Sequence, residues 1–172
     1  VLIYNDVRRF GFFKLYNIKQ YKKINFLKKL GIEPFNNKFN LKYFQTFVQN
    51  RKKSIKNLLM DQTFVSGLGN IYVNEALFMS GINPLRMCNS LKVNEINDLI
   101  KNIKKILKIS ISKGGSSIKD FQNISGKSGN FQQFFHVYGE ENKKCSRISC
   151  KGKIKKIFIS NRSSFFCNKC QK

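Results

Sequence analysis

The chain has 172 residues and a mass of 20.1 kDa, enough for one medium domain and a small appendage, and its 41% hydrophobic content suffices for a packed core. Thirty-three Lys and Arg against 9 Asp and Glu give a formal charge of +24, which points to a polyanionic partner. No apolar run approaches the ~20 residues of a membrane span, and no charged-apolar-small leader pattern stands at the N-terminus, so a cytoplasmic protein with reduced thiols is expected. Part of the charge reflects codon bias: the excess is nearly all Lys, Asn, Ile and Phe abound, and Ala76 is the sole alanine.

Residues 1–17 alternate and carry aromatics, Val1-Leu2-Ile3-Tyr4 and Phe10-Gly11-Phe12-Phe13-Lys14-Leu15, which predicts two strands joined by a polar turn at residues 5–9. Two strands alone make no stable sheet, and the chain starts in mid-strand with Val1, so an upstream region is expected to precede it. Residues 18–37 are Lys-rich, end in Gly31-Ile32-Glu33-Pro34 and Asn36-Asn37, and read as a linker. Helices are then predicted from Asn40 to about Asn50, from Ser54 to Met60, and from Asn70 to Ser80 with Gly81 as the stop. Ile96, Leu99, Ile100, Ile103, Ile106 and Leu107 form one apolar stripe of a fourth helix, its other face lined with lysines. Cys88 reads as a small, half-buried residue.

Ser66-Gly67-Leu68-Gly69-Asn70 opens directly onto a helix N-terminus, where free N–H groups and the helix dipole suit an anion such as a DNA phosphate. From Gly114 to Gly129 the chain is rich in Gly, Ser and Lys and predicts neither helix nor strand, a length typical of functional or disordered loops. Phe134 to Tyr138 predicts a strand, with the single histidine, His136, as a bystander. Cys145, Cys150, Cys167 and Cys170 are spaced C-x4-C, sixteen residues, C-x2-C, as two knuckles around a basic hairpin. Four thiolates at these intervals can close a tetrahedron on one structural Zn2+, which a ribbon with so little apolar surface needs in order to fold.

Five blocks carry a resemblance that spans essentially the whole chain: Asp6-Val7-Arg8-Arg9-Phe10-Gly11; Leu30 to Pro34; Leu59-Met60-Asp61-Gln62 running into Gly67 to Phe78; Gly114 to Phe121; and Phe165 to Lys172. In these the chain resembles the bacterial formamidopyrimidine-DNA glycosylase family, base-excision enzymes with AP lyase activity that remove oxidised purines. The resemblance implies an α+β fold in three parts, an N-terminal β-sandwich, a helix-two-turn-helix domain and a C-terminal β-hairpin zinc ribbon. Residues 1–17 would then be the last strands of the sandwich, 18–37 the interdomain linker, 38–139 the helical domain with a lesion loop at 114–129, and 140–172 the ribbon.

The family's nucleophile, an N-terminal proline, its neighbouring glutamate and an assisting lysine match no position here, so the chain alone is expected to bind damaged DNA without cutting it. By resemblance, Arg8 and Phe10 fill the gap left by an extruded base, with Val7 standing where the family commonly has proline. Extrusion costs a few kcal/mol of stacking and pairing, which an aromatic wedge and a guanidinium can offset. Lys56 and Asn70 match phosphate-holding positions beside the lesion, Arg162 a ribbon arginine that enters the minor groove, Lys119 the segment that closes over the flipped purine, and Glu75 a glutamate that positions the pocket. The first knuckle is C-x4-C where much of the family has C-x2-C. The implied partner is double-stranded DNA carrying oxidised bases or abasic sites, bound by a monomer in a bacterial cytoplasm, with no membrane involved. An endonuclease VIII-like glycosylase, a stand-alone DNA-binding module and an RNA-binding zinc ribbon are the alternatives; Arg8-x-Phe10 and the long loop after Gly114 favour the purine branch.

Overall fold

The computed structural model describes residues 3, 4, 6, 9–20, 24–49, 51–116 and 129–172. Five α-helices appear among them, α1 (Asn25–Lys28), α2 (Leu41–Val48), α3 (Ile55–Leu59), α4 (Asn70–Ser80) and α5 (Val93–Ser112), followed by one hairpin of β1 (Ile154–Ile159) and β2 (Arg162–Cys167). Local chemistry sets the helix ends. The Asn40 side chain accepts from Tyr43 N at 3.1 Å to start α2, and the Ser54 hydroxyl accepts from Asn57 N at 3.3 Å to start α3. At α5 the Glu95 carboxylate accepts from Lys92 N at 2.7 Å and pairs with the Arg86 guanidinium, whose hydrogen bonds hold its pKa below the usual carboxylate range. Helix α4 ends in a Schellman motif, with Gly81 at φ +70°, Gly81 N bonded to Phe78 O and Ile82 N to Leu77 O.

Ile96, Leu99, Ile100 and Ile103 turn inward from α5, as their spacing predicts, and join Leu58, Leu59, Val73 and Leu77, and Ile106 on the same stripe is buried too. Phe64 lies at the centre of an aromatic group formed with Phe39, Tyr43, Phe44 and Phe47. A smaller core of Phe78, Val137, Ile154 and Phe165 packs under the hairpin and the cysteines. Phe78 belongs to α4, so one helix backs both cores.

Two expectations change. No strand forms among the described residues of 3–20: the turn is present, Arg9 N bonding Asp6 O at 3.1 Å, but the flanking side chains Phe12, Phe13 and Leu15 stay exposed because no third element covers them. Residues 134–138 are not a strand either. A 3-10 turn at Phe131–Phe134 precedes a bent segment whose successive N–H groups converge on a carboxylate instead of a neighbouring strand. Residues 31 and 32 are bonded to the helical part: Gly31 N bonds Gln62 O, Ser66 N bonds Ile32 O, and a side chain at residue 31 would stand 2.3 Å from Phe64 O.

Candidate nucleic-acid interface and metal centre

The four ribbon cysteines converge, with sulfurs all within 4.8 Å of one another, and among the described residues they are the one His/Cys/Asp/Glu group so arranged. Cys145 and Cys170 sulfurs stand 3.7 Å apart, as do those of Cys150 and Cys167. A disulfide would need about 2.05 Å. Four Zn–S bonds of about 2.3 Å at tetrahedral angles separate neighbouring sulfurs by about 3.8 Å, so the donor set fits a four-coordinate ion. Gly152 leaves the room this takes: a Cβ there would lie 2.5 Å from Cys167 Sγ and 3.3 Å from Cys150 Sγ. Burial opposes ionisation of Cys167, yet the backbone N–H groups of Lys169 and Cys170 and the neighbouring thiols outweigh it and bring its pKa down to about 7. His136 is outside the cluster, stacked on Phe78 at 5.6 Å.

The knuckles are tied to the end of α4. Arg147, in the four-residue spacer of the first knuckle, donates to Phe78 O and Met79 O and lies 5.2 Å over the Phe78 ring. Buried Gln171 accepts from Cys167 N and donates to Ile82 O, both at 2.8 Å, while Lys172 N bonds Gly81 O. The metal-binding residues and the C-terminal turn of α4 therefore share hydrogen-bond partners.

The hairpin turns through Ser160 and Asn161, both in the left-handed region (φ +47° and +59°), a two-residue connection whose twist suits paired strands. Arg162 follows at the start of β2. In a strand the N–H and C=O of alternate residues face the same edge, and the outer edge of β2 has no neighbouring strand. Helical side chains replace it. Ser163 O accepts from Lys56 Nζ at 2.9 Å and from Asn70 Nδ2 at 3.0 Å, Lys56 also donates to Ser164 Oγ at 2.6 Å, and Phe165 N donates to Asn74 Oδ1 at 2.8 Å.

Lys56 is only 1% exposed. Burial, with the nearby Arg162 charge second, lowers its pKa from 10.5 to about 8. Lys56, Asn70 and the strand led by Arg162 are thus brought to one point, where each nitrogen keeps a further N–H beyond the bonds just given. Beside them an open groove is lined by Lys53, Asn57, Met60, Asp61 and Ser160.

Glu75 is placed elsewhere. It is fully buried on α4, and its carboxylate accepts from the backbone N–H of His136, Val137 and Tyr138 at 2.9, 3.0 and 2.9 Å, so the segment it positions is the chain leaving the 114–129 region. Phe10 stands on the N-terminal segment with its ring 80% exposed and is not a member of the Ser163 hub. Arg8, Lys119 and most of the expected lesion loop lie outside the described residues. Sequence reading passed over Asn74, Ser164, Arg147 and Gln171. Asn74 did leave a signal, a second asparagine one helical turn after Asn70 within an otherwise largely apolar run.

The sequence model of the formamidopyrimidine-DNA glycosylase H2TH domain matches residues 30–122. The chain belongs to the formamidopyrimidine-DNA glycosylase family. A curated family member from Bartonella tribocorum is 44% identical over 99% of this chain and 60% of its own, and one from Hydrogenovibrio crunogenus is 41% identical over 100% and 60%. Among solved structures, Lactococcus lactis Fpg in complex with DNA containing an abasic site matches with a TM-score of 0.87 and 39% identity, covering 97% of this chain and 60% of that one. The MutM (Fpg) protein of Thermus thermophilus matches at 0.80 and 32%, covering 88% and 57%. The chain thus spans about 60% of the length of the curated glycosylases it matches. Among the described residues no helix is long and apolar enough to cross a membrane.

Proposed function

We propose that these 172 residues are the DNA-gripping part of a base-excision glycosylase and AP lyase acting on oxidised purines, 8-oxoguanine and formamidopyrimidines. The convergence of Lys56, Asn70 and the Arg162 strand on Ser163, in a chain of charge +24, carries this reading. Lys56 and Asn70 hold phosphates flanking the lesion, and Arg162 reaches the minor groove from the hairpin tip. Arg8 and Phe10 occupy the space of the extruded base, and Lys119 with the 114–129 loop covers the base itself. Residues 1–17, 18–37, 38–139 and 140–172 serve as sandwich strands, linker, helical domain and ribbon. The protein acts as a monomer in the bacterial cytoplasm.

In the complete reaction an amine attacks C1′, the C1′–N bond to the damaged base breaks as the base leaves with a proton, and the resulting Schiff base allows elimination of the strand phosphates. The proline amine of that step and its neighbouring glutamate have no counterpart in residues 1–172, so this chain binds without cutting. Cys145, Cys150, Cys167 and Cys170 would hold one Zn2+, whose contribution is structural: it fixes the knuckles that set the hairpin.

Two measurements test the reading. Titration of a duplex containing an abasic-site analogue should give binding tighter than to undamaged duplex, with affinity falling steeply as salt rises. Borohydride added with an 8-oxoguanine duplex should trap no covalent adduct. Absence of duplex binding at modest ionic strength overturns the gripping role, and an adduct overturns the claim that the nucleophile lies outside these residues.

A further inference from the structure

We propose that Asn74 is a positioning residue of the DNA grip, a single side chain that sets both the Asn70 amide and the strand carrying Arg162; the inference rests on the DNA-binding reading above. Asn74 is 1% exposed and lies one helical turn beyond Asn70. Its Oδ1 accepts from Phe165 N at 2.8 Å, on the outer edge of β2 and three residues after Arg162. Its Nδ2 donates to Asn70 O at 2.7 Å and to Asn70 Oδ1 at 3.3 Å.

The two ends of the amide do different work. An amide oxygen cannot donate, so the bond into Asn70 Oδ1 selects the Asn70 rotamer whose Nδ2 faces Ser163 O, where it bonds at 3.0 Å. Reversal of the Asn70 amide would put two acceptors face to face at Ser163 and two NH2 groups face to face at Asn74. At the other end, Phe165 N is an outward strand amide with no ladder partner, and Asn74 is the acceptor that keeps β2 against α4. Asn74 thus reads the register of β2 against α4, and Asn70 and Arg162 inherit their spacing from it. No other side chain bonds both the strand and Asn70 among the described residues.

The test uses the 172-residue chain with metal bound. Without DNA, Asn74→Ala should raise amide hydrogen exchange at 162–166 by about tenfold or more while the centre of α5 keeps its protection. With a duplex containing an abasic-site analogue, Asn74→Ala should weaken binding about tenfold in the parent but less than about twofold in an Arg162→Ala, Asn70→Ala background, because a positioning residue has nothing left to position there. Equal losses in both backgrounds, or unchanged exchange at 162–166, overturn the proposal.

Asn74→Asp is isosteric and, measured at a pH that keeps its carboxylate ionised, still accepts from Phe165 but cannot donate to Asn70. It should keep hairpin protection while losing affinity, and it decides the matter if the alanine variant does not fold. Global unfolding of both variants would make Asn74 a folding residue and overturn the positioning role. If the parent binds no duplex, the proposed function falls, and the exchange measurement still decides whether Asn74 holds the hairpin.

Discussion

A lysine ammonium withdrawn from water loses hydration that its two hydrogen bonds to Ser163 and Ser164 only partly replace, and at Lys56 a neighbouring arginine adds repulsion. Its pKa in the folded chain is about 8 against 10.5 for an ordinary lysine. Between these values the unfolded chain binds the extra proton and the folded chain does not, so folding stability rises with pH across that window; below about 8 the full penalty is present. Urea unfolding of the parent and of Lys56→Met should therefore differ progressively in the parent's favour as pH climbs from 8 toward 10.5. Nothing local in the sequence reveals this lysine among 33 Lys and Arg, since its acceptor is 107 residues away. The cysteines were legible because ligand spacing within a knuckle is short-range. At Gly152 the sulfurs leave no room for a methyl group. Gly152→Ala should lose metal to a chelating competitor at least about tenfold more readily, an effect of about 1.4 kcal/mol.

Helix α4 is the element on which most depends, since its N-terminal turn bears Asn70, its middle Asn74 and Glu75, and its last turn is held by the ribbon. A helix C-terminus favours positive charge, and Arg147 supplies it together with hydrogen bonds to two terminal carbonyls. Arg147→Ala should cost about 1 kcal/mol in denaturant unfolding, whereas Lys151→Ala, an exposed residue beside the same cysteines, should cost far less. Gly81→Ala should cost about 1 kcal/mol through its left-handed backbone, read in the same experiment. Helices α2 to α5 could be read from caps and periodicity because those signals are local. The strands expected at 10–15 and 134–138 do not form among the described residues, because alternation records only a half-buried extended segment. Whether such a segment enters a sheet depends on partners elsewhere, and at 136–138 the partner is the carboxylate of Glu75.

At the scale of the molecule, the two hydrophobic clusters are distinct, with α4 contributing to both, and the ribbon's cluster includes the buried Cys145 and Cys167. Without an ion on the four cysteines that cluster should be too small to hold its own fold. Chelation should abolish hydrogen-exchange protection in the hairpin and knuckles, residues 143–170, while α5 and the aromatic group around Phe64 stay protected; simultaneous loss of both would show a single cooperative unit.

The contact at Gly31 carries one more consequence. The backbone of residues 31 and 32 lies against 62–66, so the short helix α1 just before it joins the helical domain at a bonded seam. Any side chain at residue 31 would have to push that backbone apart, so Gly31→Ala should loosen the seam by which residues 24–32 are fastened to the helical domain, read as faster amide exchange at residues 31 and 66.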